Sequence, residues 1–116
     1  MIEIVFYEKE NGERPAQIFL DSLDLKMQAK MMRTILLLAQ NGSALREPYS
    51  KYLRNGIFEL RAKVGNNITR VLYYYVVSGK VVLTHGFIKK EDKTPSSEIE
   101  RAIKYRRDYE KRIEGK

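Results

Sequence analysis

The chain contains no cysteine and one histidine, His85, so neither a thiolate metal site nor a histidine cluster is available and no disulfide can form. It also lacks a glycine-rich phosphate loop and a dinucleotide fingerprint. Any reaction therefore falls to arginine, lysine, His85, tyrosine and carboxylates, with no cofactor or metal expected. Cleavage of RNA suits such a set. Its nucleophile is the substrate's own 2′-hydroxyl, which leaves the protein to align that group, take a proton, stabilise the phosphate and protonate the leaving oxygen. Arginine fits the phosphate task because a guanidinium stays charged and grips two oxygens at once, and a lysine among other cations can serve as acid or base.

The charge is placed where such chemistry needs it. Net charge is +7, and residues 51–93 hold nine Lys/Arg against three Asp/Glu, so that region carries most of the excess. Residues 1–50 are close to neutral by the same count, with six basic and seven acidic residues. Concentrated positive charge points to a polyanionic partner. With 116 residues, 43% hydrophobic and 32% charged, the chain is expected to form a single globular domain, residues 1–116, and not a disordered or membrane protein. The opening Met-Ile-Glu-Ile-Val-Phe-Tyr run is too short and too soon followed by acids for a signal peptide, so a cytoplasmic location is expected.

The elements that would position these groups follow from periodicity. Residues 2–7 read as a strand, closed by Asn11-Gly12. Pro15 opens a helix with Ile18, Phe19 and Leu23 toward one face, and a second helix spans Leu25–Gln40, with Met27, Met31, Ile35 and Leu38 as core and Asn41-Gly42 as its stop. Residues 43–56 read as an irregular basic loop with Pro48 and Asn55-Gly56 as breakers. Strands are expected at Ile57–Val64, Ile68–Val77 and Lys80–Ile88, joined by tight turns at Gly65-Asn66-Asn67 and Ser78-Gly79. A last helix starts near Pro95, capped by Ser96 or Thr94, with Glu98 in its first turn and Ile99, Ala102, Ile103 and Arg106 facing inward. The β-α-α-β-β-β-α order, with strands and helices segregated, indicates an α+β fold built on a small antiparallel sheet.

A two-residue Ser78-Gly79 turn pairs Val77 with Lys80, and hence Arg70 with Phe87 and Leu72 with His85, so Arg70, Tyr74, His85 and Phe87 share a face. Arg61 lies opposite Arg70 if Val64–Asn67 is a four-residue turn, and on the other face if the loop has three residues. Tyr73, Tyr74 and Tyr75 divide between core and surface, where one could stack on a base.

Three motifs carry a family likeness: Gly56-Ile57-Phe58-Glu59-Leu60-Arg61, Thr69-Arg70-Val71-Leu72-Tyr73-Tyr74, and His85-Gly86-Phe87-Ile88-Lys89-Lys90 with Lys93-Thr94-Pro95. Together they resemble the RelE/HigB superfamily of bacterial toxins, in its phage-derived HigB-like branch. The likeness spans almost the whole chain, but its specific motifs lie within residues 56–95. It implies a RelE-like fold and a metal-independent endoribonuclease that enters the ribosomal A site and cuts messenger RNA there. It also implies a cognate antitoxin, of a kind that usually carries a helical DNA-binding domain. Residue by residue, Arg70 matches the arginine on the scissile phosphate, Arg61 the basic end of the preceding strand, and Lys89 and Lys90 the basic segment after the last strand. Glu59 stands where some relatives place a lysine, and the C-terminal tyrosine proposed as an acid in RelE has no counterpart. Proton transfer therefore falls to Glu59, His85 or Lys89.

The expected catalytic set is Arg70, Arg61, Lys89, Lys90, His85 and Glu59, with Lys51, Arg54, Lys63, Phe87 and Lys93 holding the nucleic acid. Each has a plainer reading. Arg70 could pair with Glu59 across the sheet, His85 could be a hydrogen-bonded core residue, and the lysines could decorate a solvated turn. A non-catalytic basic module that binds RNA or DNA through phosphate contacts is the alternative function.

Overall fold

The computed structural model describes residues 1–88 and 92–114. The elements run β1 (Glu3–Phe6), α1 (Pro15–Ser22), α2 (Leu25–Asn41), a short 3₁₀ turn, β2 (Ser50–Arg54), β3 (Ile57–Val64), β4 (Asn67–Val76), β5 (Lys80–Ile88) and α3 (Ser96–Tyr109), followed by a π-type turn over Glu110–Glu114. The five strands form one sheet in the order β1-β5-β4-β3-β2. β1 lies parallel to β5, and the other neighbours are antiparallel. This is the expected α+β class, with helices on both faces.

On one face, α1 and α2 cover Leu60, Ala62, Val71, Tyr73, Val81 and Leu83. Met27, Met31, Ile35 and Leu38 supply the facing side of α2, as their spacing predicts. Asp24 starts that helix by accepting a 2.9 Å hydrogen bond from the Met27 amide, which satisfies one of the donors left open at a helix start. α1 presses close enough on β5 that a Cβ at Gly86 would lie 2.1 Å from the Phe19 ring, so only glycine fits there. Ile18 does not share that face and is exposed; Ala16 and Leu20 are the buried residues of α1. On the other face α3 buries Ile99, Ala102 and Ile103 against Ile57, Leu72, Tyr74 and Val82. Arg106 turns inward as expected, its guanidinium 5.7 Å from the Tyr74 ring centre and donating to the Asn55 carbonyl at 2.6 Å.

Three local expectations are corrected. Part of the stretch read as irregular is β2, paired with β3 through the two-residue turn Asn55-Gly56, both at positive φ (54° and 79°). That combination defines a type I′ hairpin, in which Asn-Gly joins strands as well as ending them. The β4–β5 turn has three residues, Val77-Ser78-Gly79, so Val76 and not Val77 faces Lys80. A bulge at Thr84 takes up the difference, and beyond it Leu72 pairs with His85 and Arg70 with Phe87, as the two-residue turn had required. Finally, neither Ser96 nor Thr94 caps α3; Pro95 occupies the cap position with no side-chain bond.

Candidate functional site

Alternation along β3 and β4 places Glu59, Arg61 and Arg70 on the α3 face. The β3–β4 turn pairs Val64 with Asn67, and Arg61 then lies directly opposite Arg70, the first of the two registers open from sequence. Two like charges at that separation repel unless an anion lies between them. Glu59 is that anion. Its Oε2 accepts from Arg61 Nε at 2.6 Å and its Oε1 from Arg70 Nη1 at 3.0 Å. The Thr94 hydroxyl joins the same pair, accepting from Arg70 Nη1 and donating to Glu59 Oε1. Arg70 Nη2 donates to the Asp92 carbonyl at 2.9 Å.

Burial divides these groups. Glu59 is 0% and Arg70 1% exposed, whereas the Arg61 side chain is 22% exposed and extends to the surface carboxylate of Glu47 at 3.1 Å. Burial draws the Arg70 guanidinium below its ordinary value; Glu59 opposes the shift and Arg61 adds to it. Arginine starts so high that Arg70 remains charged at neutral pH. The buried pair is therefore a fixed positive and negative charge, each held by the other and by Thr94.

Above this floor opens a cleft of about 500 Å³. Lys51 and Arg54 of β2 stand on one side and Lys93 and Thr94 on the other, with Arg61 beside them. Arg54 is tied to Ser96 and Glu100 of α3 at 2.9 and 2.8 Å. Lys51 and Lys93 form no ion pair among the described residues. The fold thus brings together Arg70, Arg61, Glu59, Lys51, Arg54 and Lys93 from the residues singled out by sequence. Lys89 and Lys90 lie outside the described residues.

The remaining candidates lie elsewhere. His85 shares the sheet face with Arg70 but does not line this cleft. It is buried, its Nε2 is 2.9 Å from Glu98 Oε1 and its Nδ1 is 3.1 Å from the Thr84 hydroxyl. Burial holds its pKa below the ordinary histidine value, with Glu98 opposing that shift and Arg101 adding to it. Phe87 packs against the core under α3. Lys63 lines a separate depression toward α2. Of the three consecutive tyrosines, Tyr73 and Tyr74 are buried and Tyr75 is partly so; the exposed rings are Tyr49 and Tyr52. Sequence reasoning missed Thr94 as a site residue. Its hydroxyl, expected to cap α3, is engaged by Glu59 and Arg70 instead.

Among the described residues no three His, Asp or Glu side chains gather in a way that could hold a metal ion, and no helix is long and apolar enough to cross a membrane.

A mixed sheet backed by three helices, with a cationic cleft at one end of its α3 face, defines an α+β protein consistent with a RelE-like fold. The chain belongs to the Gp49-like family of phage-derived proteins (DUF891), whose model matches residues 18–107. That family is related to the toxins of toxin–antitoxin systems. The chain has no significant match among curated proteins.

Proposed function

We propose that this protein is the toxin of a toxin–antitoxin pair, a HigB-like endoribonuclease that cuts messenger RNA in the ribosomal A site and is neutralised by a cognate antitoxin. The observation that carries the reading is the pairing of Arg61 with Arg70 across one carboxylate, beneath a cleft rimmed by Lys51, Arg54 and Lys93. Family membership and the motifs at residues 56–95 support it.

In the proposed reaction Lys51, Arg54 and Lys93 hold the backbone phosphates. Arg61 exchanges its carboxylate partners for the scissile phosphate, which frees Oε2 of Glu59 to take the proton of the 2′-hydroxyl. The 2′-oxygen bonds to phosphorus, the bond to the 5′-oxygen breaks, and a cyclic 2′,3′-phosphate remains. The leaving oxygen receives a proton from an ammonium of the Lys89, Lys90 and Lys93 segment. Arg70 fixes Glu59 in place and keeps positive charge beneath the phosphate.

The test is induction in bacteria lacking any antitoxin, with messenger RNA ends mapped soon after. Wild-type protein should arrest growth and produce new ends. Arg61→Ala, chosen because that side chain reaches the surface, should lower cleavage by about 10²-fold, the scale seen when one transition-state donor is removed, with far-UV CD unchanged. No arrest and no new ends from folded wild-type protein would overturn the proposal.

The alternative, a non-catalytic RNA- or DNA-binding module, is favoured by one observation: Arg70 and Glu59 satisfy each other out of reach of solvent. That reading predicts no cleavage from any variant.

A further inference from the structure

The cationic surface continues beyond the cleft. Arg61 also lines a second depression, of about 570 Å³, with Lys30 and Thr34 of α2, Lys63 of β3, and Tyr49. Lys30 and Lys63 in turn line a third, of about 390 Å³, with Lys26 and Arg33. No carboxylate lines either one. Among the described residues Lys26, Lys30, Arg33 and Lys63 form no ion pair, unlike Arg54, Arg61 and Arg70 in the first cleft.

Helix composition sharpens the contrast. Lys26, Lys30 and Arg33 fall four and three residues apart, on one exposed stripe of α2, and the helix Leu25–Asn41 has no Asp or Glu anywhere in its sequence. Solvated helices ordinarily place acids three or four residues from their bases, since like charges at that spacing repel. Here the repulsion stands uncompensated until an anion arrives. Beside it the Tyr49 ring is 42% exposed, a stacking platform next to phosphate-binding cations, which is the combination that grips single-stranded nucleic acid.

We propose that Arg61, Tyr49, Lys63 and Lys30, continued by Lys26 and Arg33, form a second binding surface for a single-stranded RNA segment running on from the first cleft. The inference rests on the RNA-cleaving reading, because Arg61 joins the two surfaces. Tyr49 stacks on a base, and the α2 cations neutralise the phosphates of the nucleotides that follow.

The experiment is fluorescence anisotropy of the full chain with a 2′-O-methyl oligonucleotide of about 12 residues, which cannot be cut, at several salt concentrations. Lys30→Ala/Lys63→Ala should weaken binding about tenfold and flatten the slope of log affinity against log salt by about 1.4, the value for two single-strand phosphate contacts. Tyr49→Ala should weaken it about fivefold or more, with Tyr49→Phe close to wild type. These α2-side changes should weaken a duplex of the same sequence less. If they leave affinity and slope unchanged while Lys51→Ala/Lys93→Ala abolishes binding, the second surface is refuted and the first cleft stands. If neither pair matters, or wild-type protein binds only anionic vesicles, the surface is refuted together with RNA recognition at the cleft.

Discussion

Toward α1 and α2 the central strands bury Leu60, Val71, Tyr73, Val81 and Leu83; toward α3 the same strands bury Glu59, Arg70 and His85 among their apolar neighbours. The first face is held by apolar area and shape. The second also holds polar and charged groups that are satisfied as sets: Glu59 with Arg70, Arg61 and Thr94, and His85 with Glu98 and Thr84. A pleated strand makes this division possible by sending neighbouring residues to opposite sides. Stability and the candidate chemistry therefore occupy alternate positions of one segment: Leu60 lies between Glu59 and Arg61.

The sharpest way to break this contrast is to remove one member of the buried pair. Glu59→Ala should cost about 3–5 kcal/mol, because Arg70 is left charged, buried and without its carboxylate, and urea unfolding measures it. Replacing both partners by methionine should instead be neutral or stabilising by about 1–4 kcal/mol, while abolishing any cleavage. Stability lost in the double variant to the same extent as in the single one would show that the pair is integral to the fold.

On the apolar face Leu60→Ala should cost about 3 kcal/mol through lost burial and a cavity, with residual cleavage per folded molecule unchanged. A much larger loss of cleavage per folded molecule would mean that the two faces are coupled.

Smaller effects should appear with pH. Burial favours neutral His85 in the folded protein, so its folded pKa lies below the unfolded value of about 6.5. Its contribution is complete above that pH and declines as pH falls through the folded value, where the unfolded chain binds the proton more readily. His85→Gln should flatten this acid-side loss in urea titrations. Tyr7 behaves in the opposite sense. Burial and its 2.5 Å bond to Asp108 push it up to about 12, so its contribution is intact below about pH 10 and is lost as pH rises toward 12. Tyr7→Phe should cost about 1 kcal/mol at neutral pH and remove part of the alkaline slope; the burial-raised hydroxyls of Tyr73 and Tyr75 keep the rest.

Much of this arrangement is legible in the residues themselves. The three long strands follow from β-branched and aromatic runs between Gly-containing turns, and α2 follows from methionine and leucine at helical spacing. β2 escaped because Ser-Lys-Tyr-Leu-Arg is short and mostly polar, and because Asn55-Gly56 was read as a break and not as the hairpin it makes. The register at Arg70 was reached by a route that local rules cannot supply, a longer turn offset by a bulge at Thr84. In the site, pairing rules set Glu59 across the sheet from Arg70 as one reading but left two registers open for Arg61, between which the Val64–Asn67 pairing decides. Thr94 was out of view because its partners are 24 and 35 residues away in the chain, and such contacts leave no local periodicity. Lys26, Lys30 and Arg33 lie on the exposed side of α2, away from its apolar stripe, where basic residues alone do not distinguish a binding surface from a solvated one.

The parallel seam between β1 and β5 has a temporal consequence. Glu3 has its sheet partner in Lys80, so β1 is made well before the strand it pairs with. During synthesis those residues wait unpaired until β5 clears the exit tunnel. Thr94, which closes over the Glu59 pair, emerges later still. A nascent chain therefore cannot complete its candidate site ahead of its fold: Thr94 reaches the Glu59 pair only after the strands that hold that pair have emerged.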